Sequence, residues 1–458
     1  MELERILAEY VVEGKYQELP TNTIEHAKNV LLTIFADIIA GSNADGCQAA
    51  LDQAVEWGGK KEATILIHGI KLPALNAAFV NAVMARALDF DDSMEPGMHI
   101  GASTVPTALA IAELTEGCSG EEFLASLVFG TELSAKLNLS EHQYDGFDPT
   151  GVCTIYACTA IAGRLMHLNS NQMLNALSLA FNKAAGSLQS NIDGSLAVRL
   201  IQGFVAQNGV MCAQLAKRGL TGPRNFLEGA WGYFHLYGKD KSEPKSVIDK
   251  VGKEFKLTEA LFKKYPSCGG TLSSTDAILE LIHQHDLTPK NVARIDIEVT
   301  PYIYNLVGKK FEIGSNPKVN AQFNIQYCVA NALLRMSSKL QHFDEEAIKD
   351  HRIRDISQMI FVSSNPDLER RGHTALNMQV ETQNGEIFCK SVDIARGFPG
   401  NPLTKEEHLQ RFRDCIAYEP EALPPHKISR LISIVDRIET LTDVRVLIPL
   451  LLKEAENG

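Results

Sequence analysis

The feature that most constrains the fold of this chain is a change in hydrophobic periodicity along its length. In the first half, apolar residues recur at helical spacing, and helices such as the one predicted over Leu72 to Phe90 are rich in Ala and Val. From Arg294 to Val299 the pattern alternates strictly instead, which is typical of a half-buried strand. Asn384-Gly385 lies between two further alternating runs and predicts a β-hairpin.

The helical pattern returns after Gly397, where Thr404 to Glu407 form a capping box and residues 428–438 show helical spacing. Two more helical segments, 320–336 and 345–360, separate the strands. We therefore predict a mainly α protein with a large all-helical domain and a smaller α+β lid domain. The predicted boundaries are 1–265 together with 396–458 for the helical domain and 266–395 for the lid.

Charge and composition exclude several classes of function. The 458 residues carry a formal net charge of -12 without a long basic tract, which argues against nucleic-acid or membrane partners. No apolar run approaches the roughly 18 residues of a membrane span, and acidic residues near the N-terminus argue against a secretory signal. The nine cysteines form no Cys-x-x-Cys pair, as expected of reduced thiols in a cytoplasmic protein.

The densest cluster of reactive side chains lies in residues 89–99, which we call the acid loop. It contains Asp89, Asp91, Asp92, Ser93 and His99 between two predicted helices. An imidazole has a pKa near working pH and is therefore suited to general acid/base catalysis. The alternative is that the acids cap helices or face solvent and that His99 is a packing residue, and the residues alone leave both interpretations open.

The Asp-x-Asp-Asp pattern of the acid loop could also hold a magnesium ion. Such a site needs a second acidic group on a facing helix and phosphates to complete the oxygen shell. The chain has no such acidic partner motif and no Arg/Lys cluster suited to phosphate. We predict no metal site.

A second candidate site is the run from Lys263 to Thr271. Adjacent Lys263 and Lys264 repel each other, which can lower the pKa of one of them, and burial would lower it further. A lysine with a lowered pKa can abstract a proton or bind a carboxylate. Gly269-Gly270 precedes a helix predicted over 273–282 and leaves backbone N–H groups open to an anion. The alternative is a surface helix end whose cations favour the helix dipole.

Two weaker candidates follow the acid loop in sequence. The loop 141–151 contains Tyr144 and His142, which are possible proton donors, and Arg199 is a possible carboxylate-binding fork. For each of them a turn or a solvated helix face is the alternative.

Together these segments resemble the MmgE/PrpD family over essentially the whole chain. The matching motifs are Leu-Asp-Phe-Asp-Asp at 88–92, Gly-Phe-x-Pro-Thr-Gly at 146–151, Leu-Thr-Gly-Pro at 220–223, Lys-x-Tyr-Pro-Ser-Cys at 263–268 and Ala-Gln-Phe-Asn-Ile-Gln-Tyr at 321–327. The family includes 2-methylcitrate dehydratase, cis-aconitate decarboxylase and iminodisuccinate epimerase. The resemblance implies a cleft between the two domains and a homodimer.

The resemblance also implies a set of pocket residues, and the chain departs from part of it. Pocket residues of the decarboxylase branch match Asp89, Ser93, His99 and Lys263, with Tyr327 as a further match from the second domain. Polar or basic family residues are replaced here at four positions, namely Asp148, Val198, Ile201 and Cys268. Fewer basic anchors favour a smaller or less charged substrate.

We therefore expect a lyase, dehydratase-like and independent of cofactors, that acts on a small polycarboxylate. The predicted catalytic residues are His99 oriented by Asp89, Lys263, and Tyr144 on the opposite face. The predicted substrate-binding residues are Ser93, Asp148, Arg199, Lys264 and Tyr327. The alternatives are an epimerase of a dicarboxylate such as an iminodisuccinate-like compound, and a catalytically degenerate small-acid binding protein.

Overall fold

The fold is mainly α, as predicted, in a computed structural model that describes residues 2–241, 247, 251–419 and 421–454. Helices α1 to α12 are Glu2–Glu13, Thr21–Gly41, Cys47–Trp57, Ala74–Arg86, Gly101–Leu114, Gly120–Leu137, Glu141–Tyr144, Ile155–Leu165, Ser170–Phe181, Gln189–Ile192, Ala197–Lys217 and Tyr233–Leu236. Helices α13 to α20 are Gly269–His285, Pro301–Val307, Pro317–Gln322, Ile325–Arg335, Glu345–Ile348, His351–Ser357, Lys405–Tyr418 and Pro425–Val435. A π-helical turn, Thr150–Thr154, precedes α8.

The capping signals read from the sequence coincide with helix starts. The Ser119 hydroxyl accepts from the backbone N–H of Glu122 at the start of α6, and Thr404 and Glu407 form a reciprocal capping box at the start of α19. Each cap satisfies N–H groups that have no partner inside the helix. The local sequence therefore supplies a cap at each of these helix starts.

The first hydrophobic core is formed by the long helices and by the C-terminal tail. Phe35 of α2 and Leu109 of α5 are buried there together with Phe412 and Leu447 from the tail. The tail is also held by main-chain bonds, such as that from the Gly120 N–H to the Leu441 carbonyl. The C-terminal tail therefore packs against the long helices of the first half of the chain.

Four strands form the main sheet in the order β6-β5-β7-β8. The strands β1 to β8 are Ala63–Thr64, Lys71–Leu72, Ser93–Met94, Met98–His99, Val292–Val299, Ile360–Ser364, Leu376–Thr382 and Ile387–Val392. Strand β5 is parallel to β6 and antiparallel to β7, and β7 pairs with β8 across the predicted hairpin. Gly385 has a φ of 83° in that turn, a left-handed conformation that glycine adopts without strain.

The sheet and α13 to α18 surround a second hydrophobic core that includes Ile295, Val329 and Met378. Two helix predictions differ from the structure here. The segment 345–360 forms two short helices, α17 and α18, because the Asp350 side chain caps a new helix start, and its last residue, Ile360, begins strand β6 beside β5. The segment 320–336 is broken before α16, whose N-terminus is capped by the side chain of Asn324.

The division into an all-helical domain (1–265 with 396–458) and a lid domain (266–395) stays a prediction. Within the described residues, no helix combines the length and the apolar character needed to cross a bilayer.

Candidate active site

A cleft lies where the acid loop meets the segment from Lys263 to Gly270. Its cavity volume is about 70 Å³, and the empty space is about 600 Å³ when the open mouth is included. The polar lining residues come from the acid loop, from the segment that starts at Lys263 and from other parts of the chain. They include Asp89, Ser93, Glu95, His99, Asn191, Lys263, Tyr302 and His373. Apolar walls are formed by Met94, Leu188, Leu261, Ile303, Leu306, Phe323 and Phe398.

The acid loop is folded tightly over the end of α4. Asp89 has a φ of 52°, a left-handed backbone conformation, three residues after α4 ends. Ser93 and His99 then face each other across the short antiparallel pair β3–β4. The Asp92 carboxylate accepts from the Gly101 N–H at 3.1 Å and thereby caps α5. This geometry holds three acidic side chains in a buried loop.

Lys263 and Asp89 form a buried ion pair at the floor of the cleft. The Lys263 ammonium donates to the Asp89 main-chain carbonyl at 2.9 Å, and it lies 2.9 Å from the Asp89 carboxylate. Arg86 contacts the same carboxylate. Burial alone would raise the pKa of Asp89, but Arg86 and Lys263 outweigh it and the pKa lies below its ordinary value. Asp89 is therefore ionised and holds the ammonium in place.

His99 is paired with Asp91 and not with Asp89, so the predicted orienting residue was wrong. The His99 Nδ1 and the Asp91 carboxylate are 2.8 Å apart. The backbone around the ring is also fixed, because the His99 N–H donates to Thr150 Oγ1 and the Thr154 hydroxyl donates to the His99 carbonyl. This arrangement leaves the Nε2 atom of His99 available for proton transfer.

The electrostatic surroundings favour a neutral His99. Burial lowers its pKa, and the nearby Arg86 guanidinium lowers it further, while Asp91 acts in the opposite direction. Burial would raise the pKa of Asp91, but His99 and Arg86 outweigh it and hold the pKa well below the usual range. A neutral imidazole beside an ionised carboxylate is the arrangement of a general base.

Helix α13 begins at the cleft, four residues before its predicted start. Cys268 is its N-cap residue, and Gly269 and Gly270 of its first turn line the cleft. The N-terminus of a 17-residue helix carries a partial positive charge and N–H groups suited to an anion. Lys263 and this helix end line the same cleft, and both are of the chemical type that suits an anion. Burial raises the pKa of the Cys268 thiol to about 11, so the thiol is protonated near neutral pH.

Tyr144 and Arg199, two predicted site residues, lie outside the cleft lining. The Tyr144 hydroxyl donates to Asn138 Oδ1 at 2.6 Å and accepts from the Leu139 N–H. Arg199 donates to the main-chain carbonyl of Asp45. Both side chains are buried and hold neighbouring loops, a use that the sequence pattern did not reveal.

Tyr327 and Lys264 also face away from the cleft. Tyr327 is buried in the second core and its hydroxyl donates to the His342 carbonyl. Lys264 is partly exposed and pairs with Asp276 at 3.0 Å in a separate groove. Of the two adjacent lysines, the structure therefore brings only Lys263 to the acid loop.

Ser93 and Asp148 occupy different positions relative to the cleft. Ser93 lines it, and its backbone exchanges two hydrogen bonds with Leu261. Asp148 is buried and accepts from the Thr150 N–H at 2.8 Å, beside the residue that anchors His99. Its position suits support of His99 better than contact with a ligand.

Sequence reasoning missed Asp91, Asn191, Tyr302 and His373. Asp91 is one of three aspartates within residues 89–92, and the sequence gives no indication of which of the three contacts His99. Tyr302 lies in the first turn of α14, three residues after strand β5 ends, and its local pattern is that of an ordinary helix start. His373 is an isolated histidine between two secondary-structure elements, and nothing in its neighbourhood distinguishes it.

The three aspartates of the acid loop are engaged with protein groups in the structure. Asp89, Asp91 and Asp92 each interact with a different protein group, namely Lys263, His99 and the Gly101 N–H. In the part of the chain that the structure describes, no group of three or more His, Cys, Asp or Glu side chains is arranged to hold a metal ion.

Asp92 makes the folded state sensitive to pH. Burial raises its pKa to about 7, with Asp91 adding to the effect and the Gly101 N–H and Arg411 opposing it. A carboxyl whose pKa is raised on folding stabilises the protein below its unfolded pKa of about 4, and this stability is lost as pH rises through the folded pKa. For Asp92→Asn we expect the decrease in unfolding free energy between about pH 5 and pH 8 to be smaller by about 2 kcal/mol.

Urea unfolding at several pH values measures this difference. The exposed Asp52→Asn is the matched control and should follow the wild-type pH dependence. If the unfolding free energies of Asp92→Asn and of the wild type changed with pH in the same way, Asp92 would not be the group responsible.

Comparisons with known proteins agree with the resemblance stated from the motifs. A family model described as the MmgE/PrpD N-terminal domain matches residues 5–245, and one described as the MmgE/PrpD C-terminal domain matches residues 265–438.

The cis-aconitate decarboxylase of Homo sapiens is 24% identical over 451 residues, covering 95% of this chain and 92% of that protein. The cis-aconitate decarboxylase-like protein oryM of Aspergillus oryzae is 23% identical, covering 97% of this chain and 96% of that protein. The 2-methylcitrate dehydratase of Escherichia coli is 22% identical over 330 residues, 66% of this chain and 67% of that protein.

Proposed function

The chain belongs to the MmgE/PrpD family, and we propose that it is a lyase that dehydrates a small hydroxy-polycarboxylate. The observation that carries this proposal is the meeting of two buried pairs, Lys263–Asp89 and His99–Asp91, at one cleft. One pair supplies a fixed cation and the other a fixed base, which are the two groups that proton removal next to a carboxylate requires.

The mechanism follows from where charge develops. When a C–H bond next to a carboxylate breaks, negative charge spreads onto that carboxylate, and a preorganised cation stabilises it better than water does. We assign this role to the Lys263 ammonium and to the N–H groups of Gly269 and Gly270. His99 Nε2 takes the proton, and the Asp91 carboxylate stabilises the imidazolium that forms. These protein groups supply the electrostatic stabilisation, so we propose that no cofactor takes part.

The character of the cleft bears on the substrate. Among the described residues that line the cleft, Lys263 is the only lysine or arginine. Much of the remaining lining is apolar and includes Met94, Leu306 and Phe398. A tricarboxylate would leave carboxylates without a cationic partner, and burying an unpaired charge is costly. The cleft therefore supports an acid with two carboxylates, or with an apolar substituent beside them.

Decarboxylation of a related unsaturated acid is the second candidate. The decarboxylases among the relatives cover more of this chain than the 2-methylcitrate dehydratase does. The same cation and helix end would stabilise the charge left when carbon dioxide departs. Cys268 stands where the resemblance implies a histidine in that branch, and this difference makes dehydration the first choice. The homodimer and the cytoplasmic location stay predictions.

A screen of small acids in heavy water tests the proposal. The purified protein is incubated with malate, citramalate, citrate, 2-methylcitrate and cis-aconitate, and NMR follows deuterium incorporation and unsaturated products while carbon dioxide is measured separately. We expect an unsaturated acid and water from at least one hydroxy acid, with no carbon dioxide. The rate should survive dialysis against EDTA.

Other outcomes of the screen would contradict dehydration in distinct ways. Carbon dioxide release would establish the decarboxylase. Deuterium incorporation with inversion but without an unsaturated product would indicate the epimerase. Thermal stabilisation by an acid without any exchange or turnover would indicate a binding protein.

A further inference from the structure

The side chains of Tyr302 and His373, which contact each other, both line the cleft. The Tyr302 hydroxyl donates to the Pro96 carbonyl of the acid loop at 3.0 Å. His373 Nδ1 lies 3.9 Å from a carboxylate oxygen of Glu141 in α7. The two rings pack together with centroids 4.8 Å apart, and both line the cleft. A histidine with a nearby carboxylate therefore stands at the same cleft as His99.

The backbone around His373 is held from both sides. The Thr300 hydroxyl donates to the His373 carbonyl at 3.0 Å, and the Ser273 hydroxyl donates to the Thr374 carbonyl at 2.8 Å. The His373 side chain is 24% exposed, compared with 14% for His99. The ring is thus fixed in position yet open enough to exchange protons with solvent between turnovers.

We propose that His373 is the acid that protonates the leaving hydroxyl group, and that Tyr302 positions its ring. This inference rests on the proposed dehydration and assigns the half of the reaction that His99 leaves open. Glu141 supplies the counter-charge for the protonated ring.

The step balances without any further reactant. His99 Nε2 accepts the proton of the C–H bond, and that electron pair forms the C=C bond. The C–O bond breaks with its electron pair moving to oxygen, which takes a proton from the His373 imidazolium and leaves as water. His99 ends protonated and His373 neutral, and exchange with solvent restores both.

Three other polar side chains that line the cleft are poorly suited to this donation. Burial raises the pKa of Tyr302 well above its ordinary value, and its hydroxyl proton is directed at the Pro96 carbonyl. Burial likewise raises the pKa of Cys268 to about 11. The Lys263 ammonium is engaged with Asp89. We assign the donation to His373, which lines the cleft with its imidazole Nδ1 3.9 Å from the Glu141 carboxylate.

The test compares two leaving groups in the variant His373→Asn. Its substrates are the hydroxy acid with the highest turnover in the screen and the analogue with fluorine in place of the hydroxyl. Fluoride leaves as an anion and needs no proton. We expect elimination of water to fall by about 10² or more, while elimination of fluoride and deuterium exchange at carbon stay within about tenfold of the wild type.

The pH profile supplies a second readout. The wild-type rate of water loss should fall at high pH as the acid deprotonates, and this alkaline limb should be absent in His373→Asn. Tyr302→Phe, which keeps the ring stacking and removes the bond to Pro96, should lower kcat while the alkaline limb remains. His351→Asn is the matched histidine control, because the His351 side chain is 84% exposed and its Nδ1 also lies 3.9 Å from a carboxylate, that of Asp350; it should behave as the wild type.

Several results would overturn the inference. Wild-type water elimination by His373→Asn, or an equal loss for both leaving groups in a variant with an unchanged thermal unfolding midpoint, would remove His373 from the acid role. Either result leaves the proposed function standing as long as His99-dependent deuterium exchange persists. If the wild-type protein exchanges no C–H proton of any acid in the screen, the proposed function fails and this inference fails with it.

Discussion

Replacing Lys263 with alanine is expected to lower kcat/KM by about 10³-fold or more, whereas the same change at Lys264 should leave it within about twofold. The Lys263 side chain is 1% exposed and its ammonium contacts the Asp89 carboxylate and main-chain carbonyl. The Lys264 side chain is 36% exposed and pairs with Asp276 in another groove. Two neighbours in sequence therefore differ in whether their charge reaches the reacting carboxylate.

The adjacent lysine makes an unusually well-matched control. Both variants remove one positive charge and the same number of atoms from consecutive residues, so net charge and long-range fields change alike. Steady-state rates on the best acid of the screen and deuterium exchange at its carbon are the two measurements. Equal effects of the two substitutions, or a Lys263→Ala variant that keeps half of the wild-type rate, would contradict the assignment.

Folding must be separated from catalysis in this experiment, because removing one partner of a buried ion pair leaves the other charge uncompensated. Arg86 still contacts Asp89 in the variant and limits that cost. Lys263→Met keeps the length of the side chain without its charge and serves as a second variant. A folded Lys263→Met with the same kinetic loss would assign the effect to the ammonium.

For His99→Asn we expect a loss of about 10² to 10⁴ in kcat together with loss of deuterium exchange. Burial and Arg86 lower the pKa of His99, so its neutral, proton-accepting form persists below the ordinary pKa of about 6.5. The acid limb of the wild-type kcat/KM profile should therefore lie below about pH 6.5. In the variant the residual activity should lack this limb.

The variant Asp91→Asn tests the direction in which the pKa of His99 is shifted. Asp91 raises the pKa of His99 against the effect of burial, so its removal should move the acid limb to still lower pH. The rate should fall as well, because the ring loses the partner that orients it. His235→Asn, an exposed histidine paired with Asp240, is the control. An acid limb that stays in place in both Asp91→Asn and His99→Asn would exclude His99 as the titrating base.

Much of the fold follows from short-range patterns. The caps at Ser119 and Thr404 and the Asn384-Gly385 turn are satisfied by atoms within a few residues, and all three occur in the structure as predicted. The long helical prediction over 345–360 was wrong at its end because Ile360 joins a strand that lies far away in sequence. Local propensity cannot include ladder bonds made with a distant partner.

The sequence by itself determined the family, the mainly helical architecture, the hairpin and the two segments that carry the candidate chemistry, the acid loop and the Lys263 run. Only the tertiary structure decided that Asp91 and not Asp89 meets His99, that Lys263 and not Lys264 reaches the cleft, and that Tyr144, Arg199 and Tyr327 hold other parts of the fold. The physical reason is that these segments are loops and element ends without a repeating geometry. A shift of one residue there changes the direction of a side chain completely, and the direction is set by packing against residues far away in the chain.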